Sequence, residues 1–240
     1  MLRSHKLAEA DRIVSFLTRE HGRVRAVVRG VRRTTSRFGA RAEPMGHIDV
    51  QFHTGRNLDT VTQIETIRSH GSALAGDYPS WTAGHAMVET AERLTPVERE
   101  PAPQQFILLV AGLRALESGD RPAGLILDSY LLRSLSIAGW APSFADCARC
   151  GDEGPHSAFH PSARGMVCRD CRPSGSAAAA QSCVELLSSL LTGDWVAALA
   201  SGERDRRTAS GLVAAYVNWH LERGLKSLPL VDRTPQAVAP

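Results

Sequence analysis

The sequence predicts an α+β chain of more than one domain, with a small β-barrel first and helices after it. Three observations lead there. Up to residue 70 short apolar runs alternate with turn residues, from residue 71 the apolar residues recur at helical spacing, and two Cys-x-x-Cys pairs interrupt the helical part. The expected division is 1–70 for the barrel and 71–240 for the helical domain, with the cysteine module inserted at 144–174. A chain of 240 residues is long enough to bury such cores, and 43% hydrophobic with 22% charged residues is the composition of a folded protein.

Within the barrel, Ile13, Val14, Phe16 and Leu17 form one apolar run, Glu20-His21-Gly22-Arg23 supplies a turn, and residues 24–28 resume as a strand. The stretch from Gly30 to Pro44 carries no apolar periodicity and reads as a basic loop. Ile48, Val50 and Phe52 then alternate with Asp49, Gln51 and His53, so one face is buried and the other wet. Thr54-Gly55-Arg56-Asn57 turns the chain into a last strand over 58–67. About five short strands in such a length suit a small closed barrel.

Further on, residues 72–94 predict a helix despite Gly76, Pro79 and Gly84. Phe106, Leu109, Val110, Leu113 and Leu116 follow the i, i+3, i+4, i+7 rule after Pro101 and Pro103. Between residues 125 and 137 the apolar side chains cover most of a helix surface, which predicts a central helix buried on most sides. Two more helices are expected over 183–199 and 208–225, and the Ser, Gly and Ala stretch over 173–180 reads as an exposed linker.

Four of the five cysteines make up the pairs Cys147/Cys150 and Cys168/Cys171. Each pair puts two sulfurs on one knuckle, and the intervening residues are enough for a hairpin to bring the knuckles together as a four-thiolate structural zinc site. His156 and His160 lie inside that hairpin as alternative ligands, and Cys183 reads as a buried small hydrophobe. A closed four-sulfur site has no open position for water and does not catalyse. A zinc deaminase needs His-x-Glu ahead of Pro-Cys-x-x-Cys, whereas His220-Leu221-Glu222 follows both pairs.

The charge is polarised. Residues 1–70 hold 13 basic and 7 acidic groups, net +6, while the remainder is net −3. Eight arginines and a single acid, Glu20, lie between Arg19 and Arg41, a density that suits a polyanion. Arg12, Arg23, Arg25, Arg29, Arg32, Arg33, Arg37 and Arg41 are the candidate contacts, because guanidinium forks onto phosphate. Only Phe16, Phe38 and Phe52 occur in that region, so base stacking is minor and binding should be phosphate-driven and salt-dependent. The two lysines, Lys6 and Lys226, stand outside any Gly-Lys-[Ser/Thr] context, which excludes a P-loop, and no Gly-x-Ser-x-Gly elbow is present. The acids Asp11, Glu43, Asp49 and Asp59 lack the spacing of a nuclease metal site. No apolar run reaches the roughly 18 residues of a membrane helix, and the first residues have no apolar signal core, so a cytoplasmic protein is expected.

Glu9-Ala10-Asp11-Arg12-Ile13-Val14, Thr18-Arg19-Glu20-His21-Gly22-Arg23, Gly30-Val31-Arg32-Arg33 with Ser36-Arg37-Phe38-Gly39, and Gly55-Arg56-Asn57-Leu58-Asp59 resemble the RecO family of bacterial recombination mediators, as do Gly139-Trp140-Ala141-Pro142, the cysteine pairs and Leu225-Lys226-Ser227-Leu228. The resemblance implies an OB-fold, a helical domain and a zinc-ribbon-like insertion. It also implies a non-catalytic DNA repair role: binding single- and double-stranded DNA, annealing complementary strands, and assisting recombinase loading on DNA covered by single-strand DNA-binding protein. RecR and the C-terminal tail of the single-strand-binding protein are the implied partners, with the recombinase met indirectly and the nucleoid as the implied location. Arg12, Arg23, Arg32, Arg33 and Arg37 carry DNA contact by the resemblance, and Arg25, Arg29 and Arg41 by charge density alone. The tail would need a basic residue beside an apolar cleft, for which Arg133 beside Leu132 and Leu135 is one candidate.

Two departures from the family pattern are the start of the chain at about the end of its first strand and Ala8 in place of glycine. They lead to the expectation of a barrel short of part of an edge. The competing reading is a zinc-ribbon adaptor in transcription or translation.

Overall fold

The computed structural model describes residues 1–33, 36 and 38–231, without the side chain of Ala40. They form two compact units, Met1–Ser118 and the part from Gly119 onward.

The first unit holds β1 (Arg3–Leu7), β2 (Asp11–Leu17), β3 (Arg23–Val28), β4 (Gly46–His53) and β5 (Asp59–Ser69), followed by α1 (His70–Leu74), α2 (Tyr78–Leu94) and α3 (Pro103–Ser118). The sheet order is β1-β2-β3-β5-β4, with β3 and β5 parallel and the other neighbours antiparallel, an OB-like arrangement. Alternation decides which side is core. Ala26 and Val28 of β3 point inward to join Val14, Phe16, Val61 and Ile64, Val24 is buried opposite Phe16, and Phe16 meets Phe52 edge to face at 5.5 Å.

The first strand needs correcting against the sequence expectation. β1 pairs with β2 along its whole length, from Arg3 opposite Ser15 to Leu7 opposite Asp11. Its side chains Arg3, Ser4, His5 and Lys6 show no apolar alternation, so main-chain pairing alone reveals it. Among the described residues the sheet is not closed by a β1–β4 ladder; Met1 bridges the gap, its carbonyl accepting from Met45 N–H at 3.1 Å and its amine donating to the Gly46 carbonyl at 2.7 Å.

The helix expected over 72–94 is broken into α1 and α2, with Pro79 in the first turn of α2, where its missing N–H costs nothing. Gly84 lets α2 lie against the sheet domain: a Cβ there would stand 2.5 Å from Met45 Sδ, and Met45 is fully buried.

The second unit is built on α4 (Ala123–Ile137), whose Leu125, Ile126, Leu127, Tyr130, Leu131, Leu132 and Leu135 are all buried, as a central helix requires. Around it lie α5 (Gln181–Thr192), α6 (Trp195–Ala200) and α7 (Glu203–His220). The single helix expected over 183–199 is split at Gly193, whose φ of 86° ends α5. A second sheet of β6 (Ala158–His160), β7 (Gly165–Val167) and β8 (Ala177–Ala178) runs in the order β7-β6-β8, so part of the alanine stretch read as linker is a strand paired with β6. Among the described residues no helix is long and apolar enough to cross a membrane.

Candidate metal centre and nucleic-acid interface

The β6–β7 hairpin lies between the two cysteine pairs and turns the second toward the first. As a result the sulfurs of Cys147, Cys150, Cys168 and Cys171 all lie within 4.8 Å of one another. Cys150 Sγ and Cys168 Sγ are 3.7 Å apart. A tetrahedron with metal–sulfur bonds of about 2.3 Å has edges of about 3.8 Å, so the cluster has the dimensions of a four-thiolate metal site. The first knuckle is tightened by Cys147 N–H donating to the Asp152 carbonyl at 2.8 Å and by Gly151 N–H donating to the Cys147 carbonyl at 2.9 Å, with Gly151 in the left-handed region at φ 78°.

Cys168 N–H points at Cys147 Sγ at 3.4 Å. That bond, followed by one from Cys150 N–H, holds the Cys147 thiol down to about 6. The thiols of Cys150 and Cys168 push Cys171 up to about 12. Crowding of this kind opposes ionisation of all four sulfurs together unless a cation sits among them, which is the environment that binds a metal and releases protons. Neither histidine joins them: the His156 ring contacts the Asp152 carbonyl, and His160 Nδ1 accepts from Ser162 N–H at 3.2 Å. Cys183 is a core residue, with burial raising its thiol to about 11.

The cysteine module is anchored within its unit by aromatic packing. Phe159 of β6 stacks on Phe144 and meets Tyr216 of α7 edge to face at 5.9 Å, while Trp140 stacks on His220 at 5.0 Å and Tyr216 Oη donates to the Trp140 carbonyl. Gly165 is required at the hairpin, because a Cβ on its φ 143° backbone would stand 2.1 Å from the Ser143 carbonyl oxygen.

Strand register divides the arginines into groups. Paired residues of an antiparallel ladder share a face, and Arg12 stands opposite Val28, which belongs to the core side, and opposite Lys6 of β1. Arg12 lies at the end of that face beside Glu43, with a contact at 2.9 Å. The loop after β3 comes to the same end. Arg32 N–H donates to the Ala10 carbonyl, the Arg32 guanidinium donates to the Glu9 carbonyl at 2.9 Å, and Gly30 N–H donates to Asp11 Oδ1 at 2.7 Å. Lys6, Arg12, Arg32 and the exposed Arg29 and Arg33 therefore gather at the β1–β2 turn. Arg41 is exposed and donates weakly to the Ile64 carbonyl at 3.4 Å. Arg37 lies outside the described residues.

Arg23 stands at the other end of β3, about 17 Å from Val28 along the strand, and Arg25 two residues further in, about 10 Å from Val28. Their side chains take the outer face and are occupied internally. Arg23 donates to the Thr95 carbonyl at 2.7 Å and the Pro96 carbonyl at 2.5 Å, and Arg25 pairs with Glu98. Lys6 is the member of the cluster that sequence reading missed; a recognised first strand ending at residue 7 would have placed it opposite Arg12. Phe16 is buried, and Phe38 and Phe52 are packed against the core, so none of the three offers a free ring for stacking on bases.

The chain matches two family models that between them span nearly its whole length, Recombination protein O N terminal over residues 1–70 and Recombination protein O C terminal over residues 75–229. It is 58% identical over 236 residues to the DNA repair protein RecO of Nocardioides sp. strain JS614, covering 97% of each chain. It is 57% identical over 233 residues to the DNA repair protein RecO of Thermobifida fusca strain YX, covering 97% of this chain and 96% of the other. Matched by both family models and by these two relatives over nearly its whole length, the chain, with its OB-like sheet, helical unit and four-cysteine cluster, belongs to the RecO family of DNA repair proteins.

Proposed function

We propose that the protein is a non-catalytic recombination mediator that binds single- and double-stranded DNA through the phosphate backbone, anneals complementary strands and assists recombinase loading onto DNA covered by single-strand DNA-binding protein. The observation that carries this reading is the gathering of Lys6, Arg12, Arg29, Arg32 and Arg33 at one end of the OB-like sheet in a chain of the RecO family. These groups neutralise phosphates without reading bases, exposed Arg41 adds to the same footprint, and Arg37 belongs to the set by family resemblance alone. Arg12, paired with Glu43, and Arg23 and Arg25, engaged by Thr95, Pro96 and Glu98, stand as the weaker members of the set.

The four cysteines hold one structural zinc ion, supported by the sulfur spacing and the all-thiol donor set. When bound, zinc cross-links the two knuckles and leaves no position for a reacting water. RecR and the tail of the single-strand-binding protein are the partners carried by family resemblance, with exposed Arg133 beside buried Leu132 and Leu135 as one candidate for the tail. The site of action is the cytoplasm, at the nucleoid.

The test is strand annealing with a salt titration. The protein should speed pairing of complementary oligonucleotides, and the double variant Arg32→Glu/Arg33→Glu should lose both annealing and much of the salt-dependent affinity. Unchanged annealing and binding in that variant would refute the reading.

A further inference from the structure

We propose that the metal module carries a second phosphate contact of its own, made by Arg149, Arg169 and Arg172. The inference rests on the DNA-binding reading above and adds residues that reading does not use. Arg149 precedes Cys150, Arg169 follows Cys168, and Arg172 follows Cys171. Neighbouring Cα atoms are about 3.8 Å apart, and the Cys150 and Cys168 sulfurs approach to 3.7 Å, so the cluster gathers three arginine stems at the rim of one small centre.

The module is two-sided. Ala158, Phe159, Met166 and Val167 are buried, with Phe159 packed between Phe144 and Tyr216. Cys150 and all three arginines are exposed. None of the three forms an ion pair among the described residues, in contrast to Arg12, Arg25, Arg68 and Arg99, which face Glu43, Glu98, Glu117 and Asp59. Asp146, Asp152, Glu153 and Asp170 are also exposed in this module and offset the three arginines together with Arg164, and four thiolates on a divalent ion would add a formal −2, so the contact is a local one and not a field effect. Guanidinium suits that case, since its fork engages phosphate oxygens by geometry rather than by a long-range field. A metal centre that fixes both knuckles holds the three forks in place for a backbone that passes over them.

The experiment compares the full-length metal-loaded wild type with two variants, Arg149→Gln/Arg169→Gln/Arg172→Gln and Arg32→Gln/Arg33→Gln. Fluorescence anisotropy of a labelled duplex across a salt series is measured, with metal content and thermal unfolding on the same samples. Each lost contact should flatten the log–log salt slope by about 0.9, so the knuckle triple variant should flatten it by about 2 to 3 with its metal retained. A slope unchanged in the triple variant but flattened in the N-terminal variant overturns the proposal and leaves the DNA-binding reading standing. Loss of metal with an unchanged slope also overturns it, because the arginines would then be counterions of the thiolate centre. A wild type that ignores duplex at every salt concentration brings down the DNA-binding reading itself. Should the triple variant fail to fold, the single variants Arg149→Gln, Arg169→Gln and Arg172→Gln carry the same test, each expected to flatten the slope by about 0.9.

Discussion

His70, fully buried at the start of α1, holds its Nδ1 2.8 Å from Oε2 of Glu117 near the end of α3. The contact fixes the last strand of the sheet to the third helix. Glu117 also takes the Arg68 guanidinium at 2.5 Å, His70 Nε2 has no partner, and the His47 ring lies parallel to that of His70 at 6.5 Å.

This arrangement makes the first unit acid-sensitive. Burial, then Arg114 and Arg68, lowers the His70 pKa from 6.5 against the pull of Glu117, and burial with His70 and Arg114 lowers that of His47. The unfolded chain therefore binds protons that the folded one resists, so stability is full above pH 6.5 and falls as pH drops below it. Glu117, held below 4.5 by Arg68 hydrogen bonding first and His70 next, adds loss in the same direction at lower pH. Urea midpoints should be lower at about pH 5.5 than at about pH 7.5, and His70→Gln should narrow the difference. An equally wide difference in the variant would remove His70 from the account.

Ala8 sits in the β1–β2 turn at φ 49°, the left-handed region where a Cβ is strained. Replacing it with glycine should stabilise the protein by about 0.5 to 1 kcal/mol, a gain of about 2 °C in Tm, after the extra freedom of the unfolded chain is counted. A lower Tm for Ala8→Gly would contradict the turn geometry.

Gly22, at φ 61° in the turn before β3, is pressed against the backbone of Glu100, where a Cβ would stand 1.7 Å from the carbonyl oxygen. Backbone must move to admit it. Gly22→Ala should cost about 2 kcal/mol or more, seen as a drop in the denaturant midpoint.

Two arginines that look alike in the sequence should part company on mutation. Arg23→Gln removes donors from the Thr95 and Pro96 carbonyls and should cost about 1 to 3 kcal/mol of stability. Arg33→Gln, at an exposed position, should leave stability within about 0.5 kcal/mol and flatten the DNA salt slope by about 0.9. The reverse pattern would mean that the division by register is wrong.

Removing metal should unsettle the second unit through Phe159. A chelator, or Cys147→Ser, should lower Tm by about 10 °C or more and shift the emission of Trp140, which stacks on His220 beside Tyr216. An identical melting curve with and without chelator would deny the cluster its structural role.

Spacing along the chain made some features legible and hid others. The cysteine pairs announce themselves because the ligand chemistry fixes their separation, and β4 does so because Ile48, Val50 and Phe52 alternate with polar neighbours on the wet side. β1 stayed hidden since an edge strand of Arg, Ser, His and Lys is held by main-chain bonds that leave no side-chain pattern. The division of the arginines was invisible for another reason. Arg25 finds Glu98 across 73 positions of sequence, and only the folded register shows that Arg12 and Arg25 face opposite ways. The break between α1 and α2 was half legible, as Gly76 and Pro79 flagged trouble without giving the point of restart.

The hydrogen bond from Arg23 to the Thr95 carbonyl joins positions 72 residues apart. The segment between α2 and α3 thus has its clasp on a strand that the ribosome releases well before it. During synthesis the receiving sheet can be waiting when Thr95, Pro96 and Glu98 emerge, so growth from the amino end suits this unit better than the opposite order would.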